Sequence, residues 1–213
     1  MFKNTLAASL LALLVTSPAW ADTWYVTVDT STLNGQTGWL DFQFNAGDAS
    51  APAATTTLAA FNSGGGILSS ATPTGDVTGS LGSTLVLGNS QSFNDWLQGV
   101  TFGSMLSFSV NLDTPIPNTS GVGTAFSLSL YDNSYNSLLA DPNWGAALVL
   151  NVNDNGMFEV LAQTAPVVLS TSPVPEPKTA LLLLSGLGLI GMKFRKHRDN
   201  RDTSVRSIPA SLV

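Results

Sequence analysis

Apolar and polar residues alternate with a period of two along most of this chain. Trp24, Val26 and Val28 alternate with Tyr25, Thr27 and Asp29, and Leu40, Phe42 and Phe44 with Asp41, Gln43 and Asn45. Leu106, Phe108, Val110 and Leu112 interleave with Ser107, Ser109, Asn111 and Asp113; Phe126, Leu128 and Leu130 with Ser127, Ser129 and Tyr131; Leu148, Leu150 and Val152 continue the pattern. Successive side chains of a strand point to opposite faces, so each run predicts one buried and one wetted face. Such one-sided strands belong to antiparallel sheets. Weaker strand signals lie at 55–61, 75–80, 84–87, 157–162 and 166–170. Asn34-Gly35 and Asn155-Gly156 read as hairpin turns. The segments 46–52, 64–66 and 115–121 read as loops. One short helix is expected over 92–98, capped by Ser92, with Phe93, Trp96 and Leu97 at helical spacing. About nine or ten short strands in about 150 residues predict an all-β fold, an antiparallel β-sandwich resembling a jelly roll.

Both ends of the chain depart from this pattern. Lys3, the apolar stretch 6–15 and Ala19-Trp20-Ala21 have the order of a secretory signal peptide, residues 1–21. Its removal by signal peptidase would leave a mature chain beginning at Asp22. At the other end, Val174-Pro175-Glu176-Pro177 precedes an apolar run of 14 residues, 179–192. The basic cluster Lys193-Phe194-Arg195-Lys196-His197-Arg198 then follows. A helix of that length spans roughly 21 Å, short of the ~30 Å hydrocarbon core. Lys178 and Lys193 can snorkel to extend it, and the cluster Lys193, Arg195, Lys196 and Arg198 is a membrane stop that predicts a cytoplasmic C-terminus. Gly186, Gly188 and Gly191 weaken the helix and allow close approach of another membrane protein. This divides the chain into a signal peptide (1–21), a sandwich ectodomain (22–172), a C-terminal signal with a single short transmembrane helix (173–198), and a cytoplasmic tail (199–213) expected to lack structure.

The three C-terminal elements, in that order, resemble the PEP-CTERM sorting domain of Gram-negative bacteria. The resemblance implies an exosortase, a membrane transpeptidase, that acts near Val174, Pro175, Glu176 and Pro177. It also implies a precursor anchored in the inner membrane with its ectodomain in the periplasm, then release to the cell surface or an extracellular polysaccharide matrix. The segments 26–31, 38–45, 75–81 and 93–99 resemble one group of PEP-CTERM ectodomains, which implies a shared fold type and no particular activity.

Charge narrows the function classes. Between Lys3 and Lys178 there is no Lys or Arg, and the single His is His197. Residues 22–172 hold ten Asp and one Glu, a formal side-chain charge of −11 that the whole-chain value of −6 conceals. Nucleic-acid binding is excluded, because it needs Lys and Arg to neutralise phosphate. The absence of Cys and of ectodomain His excludes thiol and Ser-His-Asp catalysis and any disulfide.

What chemistry remains is sparse. No cofactor is expected, with structural calcium as the one candidate. Asn151, Asn153 and Asn155 place oxygen ligands at alternate positions with Gly156 at the sixth, as in a calcium loop, but the twelfth position is Ala162 instead of Glu. A plain hairpin turn on Asn155-Gly156 is the preferred reading. Asp132, Asn133 and Asn136 form a second polar loop or Asx-rich turn. Trp24, Tyr25, Trp39, Trp96, Tyr131, Tyr135 and Trp144 could stack on sugar rings if several shared an exposed face. Tyr25, Trp39 and Tyr131 fall on the polar phase of their strands and Trp144 in a turn, which makes these four the better candidates, while Trp24 and Trp96 read as core and a core or interface role is the preferred reading. The expectation is a non-enzymatic surface or matrix protein, structural or adhesive in biofilm or exopolysaccharide. A carbohydrate-binding module using exposed Trp and Tyr is the alternative, and a glycan-active enzyme with paired carboxylates ranks below it.

Overall fold

The computed structural model describes residues 22–113, 120–154 and 157–171. The signal peptide, Val174 to Pro177, the apolar run, the basic cluster, the tail and the Asn155-Gly156 turn lie outside them. Among the described residues no helix is long and apolar enough to cross a membrane.

Among the described residues, thirteen strands form two antiparallel sheets. The first contains β1 (Asp22–Asp29), β3 (Thr55–Asn62), β5 (Val77–Gly79), β6 (Thr84–Gly88), β8 (Met105–Asp113) and β13 (Val167–Thr171), in the order β13-β1-β8-β3-β6-β5. The second contains β2 (Thr37–Ala46), β4 (Ile67–Thr74), β7 (Asp95–Thr101), β9 (Thr124–Asp132), β11 (Leu148–Val152) and β12 (Phe158–Gln163), in the order β12-β11-β9-β2-β7-β4. The short β10 (Ser137–Leu138) adds to β9. β1 pairs with β8, β2 with β7 and β3 with β6, so successive pairs nest inside one another and alternate between the sheets. That nesting is a long hairpin folded over on itself, the winding of a jelly roll.

The alternating residues fill the space between the sheets. Val26, Val28, Leu58, Leu85, Leu87, Leu106, Phe108, Val110 and Leu112 face inward from the first sheet. Leu40, Phe42, Phe44, Phe126, Leu128, Leu130, Leu148 and Leu150 meet them from the second. Phe42 crosses the core edge-on to Phe108 and Phe61, with ring centroids 5.5 and 6.4 Å away. Trp96 is buried, and Trp24 packs half-buried against the same core.

Three local expectations are corrected and one strand is added. The helix over 92–98 does not form: Asp95–Thr101 is strand β7, hydrogen-bonded to β2 on one side and β4 on the other. Two sheet edges offering a full ladder outweigh a local apolar spacing. Trp96 consequently points into the core, and Phe93 is left exposed. The strand Ile67–Thr74, with little apolar periodicity, was not expected; β7 supplies its pairing partner, with a bulge between Leu68 and Ala71. The signal at 75–80 shrinks to β5, Val77–Gly79. Asn34-Gly35 joins no hairpin, because β1 and β2 lie in different sheets. It forms a type II turn after the single 3-10 turn Ser31–Leu33, with Asn34 at φ −52° and ψ 126°, Gly35 at φ 80°, and the Gln36 amide donating to the Leu33 carbonyl at 2.8 Å. A positive φ at the third turn position is what glycine supplies there.

Candidate functional site

The outer face of the seven-stranded sheet is built from the residues that the core rejects. Because Leu40, Phe42 and Phe44 point inward, β2 presents Trp39, Asp41, Gln43 and Asn45 outward in a row. Register sets their neighbours. On β9, Trp39 faces Tyr131, Asp41 faces Ser129 and Gln43 faces Ser127; on β7, Trp39 faces Gly99, Asp41 faces Leu97 and Gln43 faces Asp95. Gly99 lies against the indole: a Cβ there would touch the Trp39 ring at 3.4 Å and collide with Ser69 Oγ.

Three aromatic rings meet at one end of this row. Tyr135 stacks on Trp39, with centroids 5.8 Å apart and planes 10° from parallel, and leans on Tyr131 at 6.4 Å. Tyr135 is held out by the turn after β9, with φ 60° and the residue 58% exposed. Asp132 organises that turn. Its Oδ1 accepts from the amides of Ser134 (2.7 Å) and Asn136 (2.9 Å), and its Oδ2 from Asn136 Nδ2 at 2.8 Å. The Asn136 side chain and these amides hold the Asp132 carboxyl below the ordinary carboxylate value. Asn133 Nδ2 donates to Thr37 Oγ1 at 2.6 Å and ties the turn to β2.

Beside the rings runs a chain of polar side chains. Asn45 Nδ2 donates to Gln43 Oε1 at 3.2 Å, and Gln43 Nε2 to Asp41 Oδ2 at 2.6 Å. Asp41 is only 6% exposed and Asp95 only 8%. Asp41 Oδ1 and Asp95 Oδ1 are both buried without a hydrogen-bond partner. Burial pushes the Asp41 carboxyl up to about 6; the Gln43 amide opposes that rise and the Asp95 carboxylate adds to it. No side-chain cation stands anywhere between Asp22 and Thr171 to neutralise either group.

The four aromatic candidates are thus divided. Trp39 and Tyr131 come together. Tyr25, 48% exposed, faces outward from β1 in the other sheet. Trp144, 49% exposed, stands in a separate turn whose amides at Asn143 and Trp144 donate to Asp141 Oδ1. Of the calcium-loop residues, Asn151 Nδ2 donates to Asn153 Oδ1 at 2.6 Å, Asp154 Oδ2 accepts from the Gly121 amide, and Asn155 lies outside the described residues. The sorting residues Val174, Pro175, Glu176 and Pro177 and the stop residues Lys193, Arg195, Lys196 and Arg198 also lie outside them. Sequence reading named Tyr135 among the aromatic residues able to stack on a sugar without singling it out, and missed Asp41, Gln43 and Asp95. The alternation at 39–45 signals an outward polar row, but no local pattern shows that Asp95 from another strand joins it.

Elsewhere, a cleft of about 550 Å³ between the segments 46–53 and 89–92 carries one carboxylate, Asp48, and no aromatic side chain.

Comparison with known families places the PEP-CTERM protein-sorting motif at residues 173–198. The motif implies export, membrane anchoring before processing, and sorting by an exosortase. No curated protein and no solved structure matches the chain.

Proposed function

We propose that the ectodomain is a non-enzymatic module that holds polysaccharide at the cell surface or in an extracellular matrix, binding it on the outer face of the seven-stranded sheet. One observation carries the reading: Trp39, Tyr131 and Tyr135 share that face with the amide, carboxyl and hydroxyl row of Asn45, Gln43, Asp41 and Ser129. Sugar recognition needs this combination, since the apolar face of a pyranose ring stacks on an aromatic ring while its hydroxyls seek fixed donors and acceptors. Export by the sorting motif would bring the module to polysaccharide outside the cell, where it would serve adhesion or cohesion of biofilm or envelope material.

The test is glycan-array binding followed by titration of the full chain in a sugar-free, non-ionic detergent. Trp39→Ala and Tyr135→Ala are each expected to weaken binding about tenfold or more, whereas Tyr25→Ala and Trp144→Ala leave it unchanged. Equal loss in all four, or binding that survives both Trp39→Ala and Tyr135→Ala, would refute the assignment to this face.

A second reading, glycoside cleavage by paired carboxylates, has one observation in its favour: Asp41, with its raised pKa, lies next to Asp95. General acid–base cleavage sets two carboxyls in unlike environments. Against it, residues 22–172 hold no Lys or Arg to orient a substrate. Polysaccharide turnover abolished by Asp41→Asn would establish the enzyme and displace the binding module.

A further inference from the structure

Asp41 and Asp95 are diagonal neighbours on one face, since Asp41 faces Leu97 and Gln43 faces Asp95 in the β2–β7 register. Each is more than nine-tenths buried and each keeps one buried carboxyl oxygen without a partner. A buried carboxylate is costly unless it meets a counter-charge. The ectodomain cannot supply one, because residues 22–172 contain no Lys, Arg or His. Any counter-charge that lets both groups ionise therefore has to come from outside the domain.

We infer that the outer face takes an amino sugar, a hexosamine unit carrying a free ammonium, whose charge is balanced by Asp41 and Asp95 while its ring sits against the aromatic group of Trp39, Tyr131 and Tyr135. The inference rests on the glycan-binding reading above and names the class of sugar. Three features support it. Trp39 and Asp41 are two residues apart on the same face, about 6.6–6.8 Å along the strand, which is the scale of one sugar ring. Trp and Tyr rings themselves attract a cation. Finally, Gln43 Nε2, which donates to Asp41 Oδ2 from a half-buried side chain, is the donor that a ligand ammonium would replace. A bare metal ion fits less well, because the described residues bring no third carboxylate or imidazole to the pair. An anionic polysaccharide would be repelled by a domain of charge −11.

Calorimetric titration of the full chain in a sugar-free, non-ionic detergent, near neutral pH and at low salt, tests this with three probes: short oligomers of glucosamine, of N-acetylglucosamine and of a uronic acid. The glucosamine oligomer is expected to bind about tenfold more tightly than its N-acetylated form, and uronate not to bind. Asp41→Asn and Asp95→Asn are each expected to shrink that preference, and Trp39→Ala to weaken both glucosamine forms. Equal affinity for the two glucosamine forms overturns the inference while leaving glycan binding intact, as does a preference that persists in both Asn variants. Tighter uronate binding, or binding lost on adding EDTA, overturns it in favour of a metal-bridged acidic sugar. Absence of binding to every probe and to every glycan of the array overturns both readings. The preference between the two glucosamine forms is read on the unaltered chain, so the inference stays testable even if an Asn variant folds poorly.

Discussion

Asp41 shows how one residue can carry two opposed demands. Its place on the outer phase of β2 requires a polar side chain, yet its neighbours bury it to 6% exposure beside a second carboxylate. Folding raises its pKa from 3.8 to about 6. Between those two values the folded chain keeps a proton that the unfolded chain has released, so stability falls as pH rises through that window. The contribution of Asp41 is therefore complete below pH 3.8 and gone above about 6. A shift of about two units corresponds to about 3 kcal/mol. Asp41→Asn, neutral at every pH, should remove that dependence: from about pH 4 to about pH 7 the variant should gain about 3 kcal/mol relative to the parent chain. Urea unfolding of both proteins across that range measures the difference. A difference that does not vary with pH would mean that Asp41 titrates as an ordinary carboxyl.

At the scale of elements, the segment 92–98 is decided by its neighbours. Its local spacing suits a helix, but β2 and β4 present open edges on either side, and the segment becomes β7. Asn94 fixes the entry. Its amide donates to Asn45 Oδ1 at 2.7 Å, its Nδ2 to the Phe44 and Gln91 carbonyls at 3.2 and 3.0 Å, and its Oδ1 accepts from the Asp76 amide at 2.9 Å. One buried carboxamide thereby joins β2, the turn before β5 and the start of β7. Asn94→Ala would keep the backbone bond to Asn45 but take the side-chain partner from the Phe44 and Gln91 carbonyls and the Asp76 amide, and should cost about 2–4 kcal/mol, measured as a fall in the urea midpoint with an unchanged m-value. Asn94→Asp, which keeps the acceptor and loses the Nδ2 donor, should destabilise as well. A loss below about 0.5 kcal/mol for the Ala variant would show that water replaces the side chain.

At the scale of the whole molecule, the dominant fact is a fold without internal cations. The ectodomain has no side-chain ion pair to form, so its cohesion comes from the apolar layer between the sheets and from hydrogen bonds. Eleven carboxylates on one domain repel each other, and salt screens that repulsion without breaking any ion pair. Melting temperature at neutral pH should therefore rise with added NaCl, on the order of a few degrees for a domain of this size. Thermal unfolding followed by circular dichroism checks this; a melting temperature that falls with NaCl would contradict it.

Much of the architecture was legible because alternation is a local property. The stereochemistry of an extended chain sends neighbouring side chains to opposite faces, so the runs at 24–29, 40–45, 106–113, 126–131 and 148–152 announce β1, β2, β8, β9 and β11 directly. The sorting signal is equally local, a linear order of Pro-Glu-Pro, apolar run and basic cluster. Charge is fixed by composition alone. Pairing is different, because it depends on which distant edge is free. Only the tertiary structure makes 95–101 a strand, puts Asn34-Gly35 between sheets, and sends Tyr25 and Trp39 to opposite sides of the sandwich. Only the register of β2 against β7 and β9 brings Asp41 to Asp95 and Trp39 to Tyr131 and Tyr135. The sequence by itself determined the strongly alternating strands, the charge and the sorting signal; the long-range hydrogen-bond ladder decided which side chains meet, and the candidate site exists only at those meetings.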